Sequence, residues 1–400
     1  MAQIVTLPHE PTCVWPRFDA TDEAAVLSVM RDGNVSTHPV IRELERDYAA
    51  FTGRAHALAH SSGTVALMAA FFALGLQPGD EVLVPTATFW ASILPMLWFG
   101  LVPVFCESEA ERLGPCPDDL RQRITPRTRA LVVVHLWGLP ARMTELTALA
   151  AEFGLKIIED ASHAHGATWR GVPCGRLGDI SVFSLQGDKL APAGEGGVLL
   201  TDDPELWERA VTLGDITRII ELDTPARRFA ATSFGVKTRI APMSAALGRA
   251  QLAKLPAHNA RRGANHRRLS AALEALGFDT FLGPAHVERV YFEFLVRHRD
   301  PSFDVPGAVA ALQAVGCRAA APRYPLVHQQ PFFAEGHWRA VARVGREHLE
   351  RDLRDPAPDA CPRTAAENAR LIRLPNFPGE DNGIVDQYAA AFARVCEAGA

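Results

Sequence analysis

The chain has 400 residues, 48% of them hydrophobic, with 41 Lys and Arg set against 46 Asp and Glu for a formal charge of -5. That composition describes a globular chain long enough for one large core and a smaller second domain, and it is too acidic to point to nucleic acid. The longest apolar stretches, such as residues 87–99, are too short and too interrupted by Ser and Pro to cross a bilayer, so no membrane span is expected.

The first ten residues lack the basic start and apolar run of a secretory signal. The seven cysteines form no C-x-x-C pair, and their odd number does not suit a disulfide framework, so a reducing cytoplasm is the expected compartment. From about residue 55 onward, short β-rich runs alternate with helical patterns: 56–60, 81–85, 102–106, 130–135, 156–160, 179–183 and 197–201 read as seven strands. Their hydrophobicity is continuous rather than alternating, which implies burial on both faces and, with helices such as 143–153 between them, a mostly parallel α/β sheet. The last two strands are joined by a loop too short for a crossover helix, so one of them is expected to run antiparallel.

After this sheet, residues 258–268 are polar and rich in Arg and read as a helix leaving the large domain, either a solvated face or a contact to a substrate phosphate. Beyond it a second α/β pattern follows, with a strand at 290–296 and helices at 305–315 and 380–395. This predicts a large domain over 1–258 and a small C-terminal domain over 259–400.

Only four of the basic residues are lysines, and Lys189 lies in Ser184-Leu-Gln-Gly-Asp-Lys-Leu190, between two predicted strands. Arginine stays protonated, whereas a partly desolvated lysine can lose its proton and attack an aldehyde carbon, which marks Lys189 as a chemical residue. Lys156 and Lys254 occupy ordinary solvated positions. The strand ending at His60 runs into Ser61-Ser-Gly-Thr64 and a helical run, where free N–H groups, Gly63 and Thr64 could hold a phosphate, or the Ser and Thr could simply cap the helix. Asp160 ends a strand of Ile and Leu, where open α/β sheets bind ligands. Its partner could be an arginine, the cap of the next turn or a pyridinium nitrogen, and only the last makes Lys189 intelligible. His163 and His165 have metal-like i, i+2 spacing but no supporting ligand set. Phe89 reads equally as core or as a face for a cofactor ring.

Together these pieces resemble the DegT/DnrJ/EryC1/StrS family of pyridoxal-phosphate-dependent sugar and cyclitol aminotransferases. The likeness covers nearly the whole chain, from Trp15-Pro-Arg-Phe-Asp19 through Ser62-Gly-Thr64, the 159–167 segment and Gly194-Glu-Gly-Gly197 to Tyr324-Pro-Leu-Val-His328 and Arg373-Leu-Pro375. The resemblance implies the fold-type I, aspartate-aminotransferase-like architecture and pyridoxal 5'-phosphate as cofactor. It implies that Lys189 tethers the cofactor and then moves the proton, that Asp160 pairs the pyridine nitrogen, that Phe89 stacks on the ring, and that Gly63, Thr64 and Ser184 hold the phosphate. It also implies a homodimer with shared active sites, L-glutamate or L-glutamine as donor, and a keto-sugar or cyclitol as acceptor, with Tyr324 and His328 in segments that line the substrate pocket.

Two departures stand out. His163 occupies a position where many members carry Gln beside the ring, and Lys237 one where many carry the Asn that reaches the neighbouring subunit's cofactor phosphate; the lysine variant points toward the cyclitol or unusual-sugar branches. The alternatives are a keto-sugar dehydratase of the same fold, in which His typically replaces the lysine, and a non-catalytic binding member that has kept the fold.

Overall fold

The structure is a computed structural model that describes residues 3–10, 12–342, 357 and 359–397. Two helices open it, α1 (Ala20–Asp32) and α2 (Val40–Thr52). Asp19 caps α1 in a reciprocal box with Asp22, which satisfies amide groups that a helix start leaves unpaired.

The central sheet has seven strands: β1 (His56–His60), β2 (Glu81–Pro85), β3 (Val102–Cys106), β4 (Thr128–Val134), β5 (Lys156–Asp160), β6 (Ile180–Ser184) and β7 (Gly197–Thr201). Their order is β1-β7-β6-β5-β4-β2-β3. All pairs are parallel except those of β7, which runs antiparallel to both β1 and β6, as the short 185–196 connection requires. The continuous apolar runs have the cause expected of them. Val82, Val84, Val132 and Ile158 pack on one side with Leu67 and Phe71 of helix α3 (Gly63–Leu74). Leu83, Leu131, Val133 and Ile157 pack on the other with Leu146 and Leu149 of α4 (Met143–Phe153).

The polar stretch around 258–268 belongs to a single helix, α5 (Pro242–Ala275), which continues through Pro256. Residue 258 therefore falls inside continuous helix. The stretch is also not a simple solvated face: Arg262, Asn265 and His266 are buried, Arg262 with its guanidinium 4.1 Å from the ring of Trp15. Beyond α5 a three-stranded antiparallel sheet forms from 278–279, Phe294–His298 and Leu371–Leu374, backed by α6 (Val305–Ala314) and α7 (Ile384–Glu397). The expected strand at 290–296 is shifted to Phe294–His298, because Val290 and Phe292 instead hydrogen-bond to the 137–138 turn of the large sheet. Among the described residues no helix is long and apolar enough to cross a membrane, and all seven cysteines are free thiols.

Candidate active site

A cavity of about 440 Å³ lies at the carboxyl ends of the parallel strands, the place where open α/β sheets hold ligands. Its floor is Asp160, the last residue of β5. The carboxylate is buried and held by two donors: Ser92 Oγ to Oδ2 at 2.6 Å, and the Ser162 amide to Oδ1 at 3.1 Å. The preceding residue, Glu159, faces away and accepts from His135 Nε2 and from the amides of Gly175, Leu177 and Gly178, which anchors the loop leading into β6. His135, Glu159 and Cys174 form a compact buried cluster, but His135 Nδ1 already accepts from the Ala141 amide and both Glu159 oxygens are occupied, so the cluster is a hydrogen-bonded support.

Lys189 enters from the 185–196 connection between β6 and β7. That connection is pinned by the Leu185 amide on Gly196 O and the Ala193 amide on Leu185 O. The lysine is only 7% exposed, and burial is the main reason its amine falls to about 8; the nearby charge of Asp160 opposes the shift and that of Arg323 adds to it. Its Nζ lies 4.6 Å from the centroid of the Phe292 ring. The other lysines differ. Lys156 pairs with Asp179 at 2.8 Å, Lys254 pairs with Asp22 and Asp19, and Lys237 is exposed.

The β1–α3 turn supplies one wall. Ser62 caps α3 by accepting from the Val65 amide, so Gly63 and Thr64 present the first turn of a twelve-residue helix to the cavity. Gly63 packs so tightly against β6 that a Cβ there would lie 2.6 Å from Ser184 Cβ. This contact brings Ser184 to the same wall.

His163 is buried and stacks on Phe292, with centroids 3.9 Å apart and planes at 11°. Its Nδ1 accepts from the Trp137 amide at 3.4 Å, and its other nitrogen faces Tyr324 Oη at 3.5 Å. Burial, followed by the charges of Lys189 and Arg323, holds its pKa well below the usual histidine range, so the ring is neutral. Phe89 and Tyr324 close the mouth with ring centroids 5.5 Å apart.

The fold thus gathers Gly63, Thr64, Phe89, Asp160, His163, Ser184, Lys189 and Tyr324 around one cavity. It does not bring His328 there: that ring is fully buried against Phe105 and hydrogen-bonds Thr86. Nor does Lys237 line the cavity of its own chain; it sits on an exposed loop whose next residue, Thr238, accepts from the Ser61 amide. Sequence reasoning missed Ser92, Phe292 and Arg323. Ser92 carries no local signal, since its partner is 68 positions away, whereas Arg323 adjoins the singled-out Tyr324 and could have been found there.

Residues 16–347 match the DegT/DnrJ/EryC1/StrS aminotransferase family, and the chain belongs to it. The protein is an aminotransferase, and its family implies pyridoxal phosphate as cofactor. It is 32% identical over 411 residues to the L-glutamine:2-deoxy-scyllo-inosose aminotransferase of Streptomyces lividus, covering 98% of this chain and 95% of the relative. A dTDP-3-amino-3,4,6-trideoxy-alpha-D-glucose transaminase of Streptomyces venezuelae is 38% identical over 246 residues, 61% of this chain and 63% of the relative. Among solved structures, an aminotransferase from Psychrobacter cryohalolentis superposes with a TM-score of 0.84 at 27% identity, covering 97% of this chain and 99% of that one.

Proposed function

We propose that the protein moves an amino group from L-glutamine or L-glutamate to a keto group on a cyclitol or sugar, in the biosynthesis of a bacterial secondary metabolite or polysaccharide. The observation that carries this reading is one cavity holding a desolvated amine, Lys189, and a buried carboxylate fixed by two donors, Asp160. The full-length likeness to glutamine-dependent cyclitol aminotransferases favours that donor and a cyclitol acceptor.

The residues fit pyridoxal phosphate. Asp160 suits a protonated ring nitrogen, because a buried carboxylate needs a positive or donating partner beyond Ser92 and Ser162. Gly63, Thr64 and Ser184 suit the phosphate at a helix start that has no room for a side chain. Phe89 offers a flat apolar face, and neutral His163 a ring edge beside it. When bound, the cofactor supplies an electron sink for the bond broken at the substrate's amino-bearing carbon. Lys189 would tether it and, once freed, would take the proton from that carbon as general base and give it back as general acid in a 1,3 shift, a task suited to an amine poised near neutrality. In a cytoplasmic homodimer, Lys237 would serve the phosphate in the other copy as a point charge.

The test is the visible spectrum of the purified protein with pyridoxal phosphate, before and after L-glutamine or L-glutamate, beside Lys189→Ala. The wild type should show a lysine-bound band that the amino acid removes, and the variant should show no such band. A wild-type band indifferent to every amino donor would overturn the reading.

A further inference from the structure

The segment Trp15-Pro-Arg-Phe-Asp19 opens the family likeness, yet no role assigned above uses it. In space it reaches the turn that carries Lys189. The lysine's own amide donates to Gln186 O at 2.8 Å within that turn, while its carbonyl accepts from Trp15 Nε1 at 2.9 Å, a partner 174 positions earlier in the chain. The peptide groups on either side of Lys189 Cα are thus both held, one locally and one from outside. Together they set the direction of the Cα–Cβ bond, and a long flexible side chain inherits its aim from that root.

Trp15 is fixed in turn by its neighbours. The guanidinium of Arg262 lies 4.1 Å from the indole centroid, and His258 meets the ring edge-on at 5.2 Å. Arg262 is fully buried, and its Nε and one Nη have no hydrogen-bond partner among the described residues; the other Nη makes a long 3.4 Å contact to Asn259 Oδ1. A buried guanidinium with so few acceptors destabilises a fold unless another group satisfies it, and the π face of the indole is placed to do so. The main chain is also tied on both sides of the ring, by Thr12 Oγ1 to Glu380 O at 2.6 Å and by Gln251 Nε2 to Arg17 O at 3.1 Å. Gln251, His258 and Arg262 all belong to α5, so one helix sets the plane of the indole.

From this arrangement we infer that Trp15, clamped by Arg262, is a positioning residue that holds the main chain of Lys189 so that the freed amine reaches the proton it has to move. The inference rests on the aminotransferase reading. Trp15 lies outside the wall of the Lys189 cavity, so its loss should slow proton transfer and leave donor binding alone.

The first measurement uses cofactor-free protein: amide hydrogen exchange across residues 185–196 should be faster in Trp15→Phe than in wild type, with β1 unchanged. The second uses protein loaded with pyridoxal phosphate and follows single-turnover loss of the lysine-bound band. The donor is whichever of L-glutamine and L-glutamate removes that band, carrying hydrogen or deuterium at its α-carbon. Losing one neutral hydrogen bond corresponds to about 2- to 10-fold in rate. Trp15→Phe should slow the saturated rate by that factor, keep the half-saturating donor concentration, and keep or raise the isotope effect. Arg262→Met retains length and packing without the cation; it should slow the same step to a smaller extent and leave the melting temperature no lower than wild type. Trp207→Phe is the control. Its indole makes the same kind of bond, Nε1 to Ala57 O at 3.2 Å, away from the cavity, and its loss should leave rate and isotope effect at wild-type values.

Unchanged exchange across 185–196, a rate loss matched by Trp207→Phe, or a loss that comes as weaker donor binding or a smaller isotope effect would overturn the inference while leaving the aminotransferase reading intact. An Arg262→Met protein with wild-type rates would overturn the clamp. A wild-type band that no amino donor removes would sink the aminotransferase reading, and the exchange measurement would still decide whether Trp15 holds the turn.

Discussion

The indole Nε1 of Trp15 donates to the main-chain carbonyl of Lys189 at 2.9 Å, so the arm ahead of the first helix holds the turn that carries this buried amine. The same ring covers the buried guanidinium of Arg262 and meets His258 edge-on at 5.2 Å. Trp15→Phe removes one hydrogen bond and keeps most of the packing, at a cost of about 0.5–1.5 kcal/mol. Trp15→Ala also uncovers Arg262, whose pKa burial already lowers to about 9, and should cost about 3 kcal/mol or more. Urea unfolding of the two variants checks the ranking; equal losses would show that the ring serves only the carbonyl.

Adduct formation between cofactor-free protein and pyridoxal phosphate should speed up as pH rises through about 8, where the buried amine of Lys189 becomes neutral. Asp160 favours the ammonium form, so Asp160→Asn should move that midpoint to lower pH. Arg323 disfavours it, so Arg323→Gln should move the midpoint up. Stopped-flow rates across pH give all three midpoints, and shifts of the same sign in both variants would contradict the electrostatic account.

Gly63→Ala would place a methyl 2.6 Å from Ser184 Cβ and 3.1 Å from its Cα, a backbone contact that cannot swing aside. Overpacking of this kind costs about 1–3 kcal/mol, and by parting α3 from β6 it should weaken pyridoxal phosphate binding as well. Gly187→Ala is the control: its nearest neighbour would be 3.9 Å away, so stability should stay within about 0.5 kcal/mol. Melting temperatures and cofactor titrations separate the two.

His163 stays neutral because burial and two nearby cations disfavour its charged form. The pH profile of kcat/KM should therefore carry no limb from this ring between about 5 and 8. His163→Gln keeps an acceptor for the Trp137 amide and should leave the shape of that profile unchanged. A limb near 6.5 in the wild type that vanishes in the variant would show that the histidine titrates in the working enzyme.

All seven strands of the large sheet lie within two residues of the apolar runs that announce them, because a sheet buried on both faces writes its strands as unbroken Val, Ile and Leu. Lys189, Asp160 and the Ser-Gly-Thr turn were legible because each is chemically out of place in its setting. Contacts made across the chain were not. Ser92 reads as an ordinary loop serine until β5 brings Asp160 beside it, and Phe292 reads as part of a strand until the 137–138 turn captures its backbone. Arg262 looked solvated because the ring that covers it comes from residue 15. His328 misled in the opposite direction, since its place beside Tyr324 in sequence does not carry over to the same face in space.

The surroundings of the four lysines also sort the protein's primary side-chain amines into distinct reagents. Two are tied up as salts with aspartates, one stands in open solvent, and one sits nearly dry beside a cavity with its proton loosely held. An aldehyde of the right shape followed by mild reduction near pH 8 should thus mark Lys189 ahead of the other three lysines, with no engineered handle.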